Sequence, residues 1–551
     1  MSAWKEKLLE LIRGGASRVL MWATPNLKFF FDTKQPLVWV LAALIGVIVA
    51  AAAIGFRLAI GLIQWPWLRD MSEHLVSAAN AVPWYWVLLA PAAGGLIVGI
   101  MLDRLLPGKR AESVADVIEA RALPQNKLDL KKGLVSATVS AISLGSGASA
   151  GREGPVVHLG ATLTTALTRG FSLPTASVRM LLAAGVSAAV SASFNAPIAG
   201  VLFAHEVILG HYAMSALVPI VISSVLAAVI SRIWFGDFTA FIVPEYQITS
   251  YWEVPAFVLL GVTCAAVAII FQYALIATDF IARNIPIRLI LRPAIGGLMV
   301  GAIALVFPEV LGVGYETTDL ALRQAMPLHL MLLLIFAKTA ATAITLASRF
   351  GGGIFSPSLY LGAMTGGAFG LIAASVFPEL ASSSGLYAIL GMGAVAAAVL
   401  GAPVSTIVIV FELTGGYAMT LALLLTVSIS VGLTLAVHGR SYFYWQLESR
   451  GLFLQGGAHR HISRQLKVGD VMRQIGGEEE PESVNPDELE VWLTPEDTLE
   501  SALRRFDEAG KTRIAVVDEN AASKIVGFVY QVDMLRRFTE KLIEADVEEH
   551  R

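Results

Sequence analysis

Long runs without Asp, Glu, Lys or Arg recur along most of the chain. Each of six such runs is at least 20 residues long, namely Leu37–Phe56, Pro83–Leu102, Tyr212–Ser231, Val254–Thr278, Ser356–Pro378 and Leu413–Val437. A helix needs roughly 17–25 predominantly apolar residues to cross a bilayer. The pattern therefore predicts an all-α protein that crosses the membrane several times.

Other apolar segments between residues 100 and 415 are short or interrupted. Gly154–Thr168 is too short to span a bilayer, and Asn195-Ala196-Pro197 breaks the segment 180–204. Such helices are costly in lipid unless they line a cavity inside the protein. Because the N–H groups of a helix N-terminus attract negative charge, half-helices that start inside the membrane indicate an anion site.

The composition agrees with a membrane protein. Of the 551 residues, 56% are hydrophobic and 15% are charged, whereas soluble proteins carry about 25% charged residues. The single cysteine, Cys264, excludes a disulfide framework and a cysteine-based metal cluster. Residues 1–36 hold six basic and three acidic side chains and show no cleavable signal. We predict that they form an amphipathic segment on the cytoplasmic face.

The charge divides the chain into two parts. Residues 466–551 contain 21 acidic and 11 basic side chains, and the rest contains 22 acidic and 29 basic ones. This contrast predicts a basic membrane body over 37–450, a linker over 451–465 and a small cytoplasmic α/β domain over 466–551. Within that domain, spacing predicts helix, strand, strand and helix at Thr498–Ala509, Arg513–Asp518, Ile525–Tyr530 and Asp533–Ile543.

The two halves of the membrane body share patterns at nearly one offset. Pro155-Val-Val-His-Leu-Gly-Ala161 matches Pro357-Ser-Leu-Tyr-Leu-Gly-Ala363, and Ala196-Pro197 with Glu206 matches Ala402-Pro403 with Glu412. The offsets are 202 and 206 residues. We therefore predict about 16 to 18 helices in two inverted repeats, over about 37–235 and 250–450.

Two glycine-rich segments are the strongest candidates for the site. The first, Gly145–Pro155, places Glu153 among backbone donors at a predicted helix start. This carboxylate could occupy an anion site and leave it when protonated, although it could also merely cap the helix. The second segment, Gly351–Pro357, has the same construction without a charged side chain, so its N–H groups could face the same anion.

These motifs resemble those of the CLC family of chloride channels and chloride/proton exchangers. Gly151-Arg-Glu-Gly-Pro155 is similar to the family's G(K/R)EGP motif, and Gly351–Pro357 is similar to its GxFxP motif. Phe194–Gly200 and Glu412–Gly415 match further family segments, so the resemblance covers roughly residues 37–450. It implies a homodimer with one anion pathway per subunit and Glu153 as the external gate. It also implies anion contacts at Gly151, Arg152, Gly154, Ile354 and Phe355.

Three positions depart from the family pattern. The anion-coordinating serine falls on Glu112 or, after a shift of one residue, on Ser113, and a carboxylate there repels an anion unless it is protonated. The inner proton-carrying glutamate of the exchangers falls on Val207. The tyrosine that contacts the central anion falls on Phe443, which lacks a hydroxyl donor. These departures predict a looser inner gate, weaker central anion binding and less strict proton coupling.

Neighbouring residues offer alternatives for the missing proton carrier. His205 and Glu206 could substitute for an acid at position 207, or Glu206 could instead make structural contacts at a helix end. A zinc-hydrolase helix would also begin with His205-Glu206 and would use His211 as its second ligand. A spacing of six residues turns that ligand about 120° away, which disfavours an intramembrane metalloprotease.

The tail resembles a CBS domain. Val468–Met472 is similar to the opening of that domain, and Gly527–Asp533 is similar to its end. The resemblance implies adenine nucleotide binding with the ribose on Asp533, or a plain dimerisation module, and the single copy could pair across a homodimer.

Together, these observations predict a transporter of chloride and no enzyme, metal site, resident cofactor or nucleic-acid partner. Flux would be gated by Glu153 and would be channel-like or weakly proton-coupled. Chloride/proton antiport is the alternative, and fluoride transport is a minor one. We place the protein in a prokaryotic plasma (inner) membrane with both termini cytoplasmic.

Overall fold

The computed structural model describes residues 34–123, 128–236, 241, 246–414, 419–454, 463, 466–474, 491–518 and 524–549, with residues 24, 28 and 30–32. Most of the predicted amphipathic segment and of the linker, and the acidic stretch 478–490, lie outside these residues. The chain divides into two compact units: Met1–Leu209 with Ala216–Tyr442, and Gly210–Ser215 with Phe443–Arg551.

The described residues of the first half of the membrane body form nine helices and one π-helical turn. In chain order they are α1 Gln35–Leu68, α2 Leu75–Ala81, α3 Trp84–Leu105, α4 Val114–Ala122, α5 Leu130–Gly145, α6 Glu153–Thr168, α7 Thr175–Phe194, α8 Pro197–Phe203, the π-helix Ala204–Leu209 and α9 Met214–Phe235.

The second half continues in the same manner. Its helices are α10 Val254–Asn284, α11 Arg292–Val306, α12 Tyr315–Leu322, α13 Leu328–Ala347, α14 Phe355–Val376, α15 Ser384–Leu400, α16 Pro403–Thr414 and α17 Thr420–His438, and α18 Tyr442–Glu448 follows them.

Eight helices of the described residues are long and apolar enough to cross a membrane. Two of them, α7 and α13, lie outside the six runs that the sequence indicated. In α13, Lys338 divides the apolar run, so a search for uncharged runs misses this helix. In α7, residues 180–194 belong to the longer uncharged segment that Asn195-Ala196-Pro197 interrupts, so the sequence indicated a broken segment there and not a span.

The two halves make equivalent contacts at the predicted offset. A Cβ added to Gly94 in α3 would lie 2.2 Å from Ser146 Oγ, and one added to Gly296 in α11 would lie 2.1 Å from Ser348 Oγ. Both pairs differ by 202 residues. The offset read from the sequence thus recurs in the packing, where small residues let paired helices approach closely.

Helices α14 and α15 pack with their backbones in contact. A Cβ on Gly366 would lie 1.9 Å from the carbonyl oxygen of Tyr387. We therefore expect Gly366→Ala to lower the free energy of unfolding by about 1–3 kcal/mol, as overpacking does. The matched control is Gly55→Ala in α1, where no atom lies within 4 Å of the added Cβ. Thermal unfolding of both variants in detergent tests this, and equal losses of stability would contradict it.

Besides most of α18, the described residues of the second unit form a four-stranded sheet and two longer helices. The strands are β1 Arg473–Gln474, β2 Trp492–Leu493, β3 Arg513–Asp518 and β4 Lys524–Tyr530, in the order β1-β4-β3-β2. The helices α19 Leu499–Ala509 and α20 Gln531–Glu549 contribute to a core with Phe506, Val516, Val529 and Met534. The helix, strand, strand and helix predicted from spacing are all present, whereas the two-residue strands β1 and β2 are too short for a periodic pattern to indicate.

Candidate functional site

The two glycine-rich segments meet inside the membrane body. Gly151 and Gly353 form an antiparallel bridge in which each N–H donates to the other's carbonyl oxygen at 2.7 Å. A Cβ on Gly151 would lie 2.7 Å from Glu153 Oε2, and one on Gly353 would lie 3.1 Å from the nitrogen of Gly154. A Cβ at either position would crowd its neighbours, so the two glycines favour the close approach that brings the starts of α6 and α14 together.

Glu153 is the first residue of α6, and its side chain is buried. Its Oε1 accepts a hydrogen bond from Ser356 Oγ at 2.5 Å and another from the Tyr315 hydroxyl at 3.1 Å. Its Oε2 is buried and has no hydrogen-bond partner among the described residues. One carboxylate oxygen is therefore held by two hydroxyls, and the other is available to a proton or to a further donor.

Arg152 is engaged by neighbouring side chains. Its guanidinium forms an ion pair with Glu73 and lies over the Tyr315 ring, 4.9 Å from the centroid. Glu73 also pairs with Arg57 at 3.0 Å. The Arg152 Nε lies 3.9 Å from Glu153 Oε1. The side chain predicted to contact the anion is thus shared between two carboxylates and an aromatic ring.

Ile354 and Phe355 lie at the start of α14, opposite Glu153. Ile354 is the N-cap residue, and both side chains are buried. The ring of Phe355 packs against Phe194 and Phe203, with centroids 4.9 Å and 6.2 Å apart. Phe194 belongs to the predicted segment Phe194–Gly200, so three of the sequence motifs converge here.

The start of α4 contains both candidates for the serine position. Glu112 Oε2 lies 3.2 Å from Nε2 of His158, a buried residue of α6. The N–H of Ser113, the N-cap residue, donates to Asp116 Oδ2 at 2.8 Å. The Glu112 carboxylate is therefore directed at an imidazole, and the choice between Glu112 and Ser113 for the anion contact stays a prediction.

The Glu206 carboxylate caps the start of another helix, which is the structural role given above as the alternative to carrying a proton. Its carboxylate accepts from the N–H groups of Val404 at 3.0 Å and Ser405 at 2.8 Å, at the start of α16. Glu412 does the same for α8, where it accepts from Ile198 at 3.1 Å and Ala199 at 2.7 Å. This reciprocal pair relates the two halves and commits Glu206 to capping.

The two other departures from the family pattern are Val207, which cannot carry a proton, and Phe443, which has no hydroxyl group. Val207 is a buried residue of the π-helix Ala204–Leu209. Phe443 lies in α18 and belongs to the second compact unit. Its assignment to the anion pathway stays a prediction.

Asp533, the predicted ribose contact, is occupied by an ion pair within the CBS-like domain. Its Oδ2 accepts from Arg473 Nε at 2.9 Å and Nη2 at 2.7 Å. The Arg473 guanidinium also lies 4.7 Å from the centroid of the Tyr530 ring. The arginine thus engages one of the two carboxylate oxygens that a ribose hydroxyl could use.

Four residues that contact Glu153, Arg152 or Glu112 were not indicated as site residues by the sequence: Glu73, His158, Tyr315 and Ser356. Ser356 occupies a variable position inside the Gly351–Pro357 segment, and it is the only one of the four inside a motif that the resemblance assigned to anion contact. Tyr315 lies 162 residues from Glu153 in the chain. The described residues hold no group of three or more His, Cys, Asp or Glu side chains arranged to bind a metal ion.

The many buried, interrupted helices, and the starts of α6 and α14 paired through Gly151 and Gly353, define a membrane protein of the anion-transporting class. The family model for voltage-gated chloride channels matches residues 94–435, and the CBS domain model matches residues 468–540. The chain belongs to the CLC family. It is a multi-pass, CLC-type chloride transport protein and not an enzyme.

Relatives and solved structures agree with this family. A ClcB-like chloride channel protein of Ralstonia nicotianae is 36% identical over 394 residues, covering 70% of this chain and 90% of the relative. The voltage-gated CLC-type chloride channel ClcB of Escherichia coli is 30% identical over 411 residues, covering 73% and 97%. The structure of a slow cyanobacterial Cl⁻/H⁺ antiporter has a TM-score of 0.67 at 23% identity, covering 76% and 98%. At this identity the last match shows the fold alone.

Proposed function

We propose that Glu153 gates chloride flux through each subunit of a homodimer, and that the flux is channel-like or only weakly coupled to protons. The observation that carries this proposal is the buried Glu153 carboxylate, held by Ser356 and Tyr315 at the junction of α6 and α14. We place the protein in a prokaryotic plasma (inner) membrane, with both termini cytoplasmic.

The gating step follows from charge. While Glu153 is ionised, its carboxylate holds negative charge where the starts of α6 and α14 favour an anion. Protonation removes that charge and weakens the hydrogen bonds from Ser356 and Tyr315, since bonds to charged groups are about twice as strong as neutral ones. The side chain then leaves, and chloride replaces it against the backbone donors.

Weak coupling follows from the inner end of the pathway. Val207 has no proton to give, and the Glu206 carboxylate is used by two backbone donors of α16. A proton that reaches Glu153 therefore lacks the inner carrier that the exchangers of the family use. Antiport remains the second candidate, and it would need another group to carry that proton.

The test is chloride efflux from proteoliposomes with simultaneous recording of external pH. We expect chloride to leave without a fixed number of protons moving in the opposite direction. Uphill proton movement in a fixed ratio would instead establish antiport. No flux of chloride or fluoride from folded, dimeric protein would overturn the proposal.

Restoring the missing inner acid should not install coupling by itself. In Val207→Glu we expect the proton flux driven by a chloride gradient to stay below about a tenth of the chloride flux, because Phe443 also departs from the exchanger pattern and because a new buried carboxylate favours its neutral form. The matched control is Val207→Gln, which has the same size and no titratable proton. Fixed-ratio exchange in Val207→Glu but not in Val207→Gln would contradict this prediction.

For the CBS domain we propose a dimerisation module, with adenine nucleotide binding as the alternative. The ion pair between Arg473 and Asp533 supports the first role, since it competes for the carboxylate that a ribose would use. Titration of the full-length protein with ATP tests this, and saturable binding lost in Asp533→Asn would favour the alternative.

A further inference from the structure

A cavity of about 370 Å³ lies at one end of the membrane body, away from Glu153. It is bounded by the last turn of α4, the last turn of α6 and the first turns of α7. Three of its lining residues are arginines, Arg121, Arg169 and Arg179, and none is acidic. The charged side chains of the described lining are therefore all arginines.

The backbone adds to this charge. Helix α7 begins at Thr175 after Pro174, and no side chain caps its first N–H groups. Thr175, Val178 and Arg179, all from the first turns of this helix, line the cavity. Free N–H groups at the start of this 20-residue helix attract negative charge, as the arginines do.

The rest of the lining is apolar enough for a lipid. Leu173, Val178 and Phe171 lie beside the arginines, and Phe171 and Val178 are exposed. A charged group next to an open apolar wall suits a ligand that carries both a phosphate and a hydrocarbon part. A purely inorganic anion would use only the arginines.

The cavity lies at the end of the body where the first membrane helix begins. Lys34, directly before α1, donates to the carbonyl oxygen of Ser172 at 2.9 Å, in the connection between α6 and α7. Lys131 and Lys132, in the first turn of α5, are exposed near the lining residue Leu128. Basic residues gather on the cytoplasmic side of membrane proteins, where the leaflet carries anionic lipids.

We propose that Arg121, Arg169 and Arg179 bind the phosphate of an anionic ligand at the C-terminal end of α6, the helix that begins with Glu153. Arginine suits this role because its planar fork donates two hydrogen bonds to one phosphate. The phosphate can belong to a glycerophospholipid headgroup of the cytoplasmic leaflet or to a soluble phosphate.

The test uses the full-length protein in detergent, mixed with phosphatidylglycerol and phosphatidylcholine and examined by native mass spectrometry. A basic side chain contributes about 1 kcal/mol near anionic lipid, which is about fivefold in affinity. We expect each single Arg→Gln substitution to weaken phosphatidylglycerol retention about fivefold, and all three together to weaken it on the order of a hundredfold. Phosphatidylcholine retention should not change.

Controls separate binding from folding and from transport. Arg104→Gln removes an exposed arginine that does not line the cavity, and Arg179→Lys keeps the charge, so both should retain phosphatidylglycerol far better than the triple variant. Displacement of the lipid by millimolar inorganic phosphate would identify a soluble phosphate as a competing ligand of the same site. Equal lipid retention by the triple variant and the original chain would overturn the proposal. Because no flux is measured, this outcome is independent of the role of Glu153.

Discussion

Replacing Glu153 with glutamine is expected to abolish the pH dependence of chloride flux and to raise the flux at neutral pH about tenfold or more. Glutamine keeps the size of the side chain but carries neither the negative charge nor a titratable proton. A hydrogen bond to a charged group contributes about 1.5–3 kcal/mol, and Glu153 accepts two of them, from Ser356 and Tyr315. Their weakening favours the open position. Chloride efflux from proteoliposomes between pH 4.5 and 7.5 measures the effect.

A second carboxylate of the membrane body provides the control for this experiment. Glu316 in α12 accepts hydrogen bonds too, although from backbone N–H groups, including that of Val76 at 2.7 Å, and it does not contact Glu153. We expect Glu316→Gln to keep the pH dependence of the original chain. If Glu153→Gln retained its full pH dependence while Glu316→Gln lost it, the gate would have been assigned to the wrong residue.

Sequence patterns predicted the features of this protein that depend on residues close to each other in the chain. The glycine-rich segments around Gly151 and Gly353 were recognisable because a close backbone approach excludes a Cβ, which leaves a trace in the sequence. The helix-end role of Glu206 could be foreseen because Glu412 stands at the same distance from its proline. The strands β3 and β4 followed from short runs rich in β-branched and aromatic residues.

Such patterns could not predict contacts between residues that lie far apart in the chain. Tyr315 and Glu73 reach Glu153 and Arg152 only because the helices fold together, and nothing around either residue marks it. The same limit applies to Lys338, whose charge hid the membrane helix α13. Its Nζ donates at 2.9 Å to the carbonyl oxygens of Val310 and Gly312. Buried charges are tolerated when they are hydrogen-bonded, and the sequence does not show those partners.

We expect the hydroxyls of Ser356 and Tyr315 to set the size of the flux, and the Glu153 carboxylate to set its pH dependence. In the double variant Ser356→Ala with Tyr315→Phe, we expect flux at neutral pH to rise about tenfold while pH dependence persists, because the carboxylate loses its donors but still titrates. Phenylalanine keeps the ring that lies against Arg152. The same efflux assay measures this, and Ser358→Ala is the matched control, since the Ser358 hydroxyl only bonds the carbonyl oxygen of Ile354 at 2.7 Å.

A double-mutant cycle gives the sharpest form of this test. If the two hydroxyls act through the Glu153 carboxylate, then removing them in the Glu153→Gln background should change flux by less than about twofold, since the charged acceptor is already gone. A rise of equal size in both backgrounds would mean that the hydroxyls act on the pathway directly. In that case Ser356 and Tyr315 would line the anion route, and the closed state would depend on Glu153 charge alone.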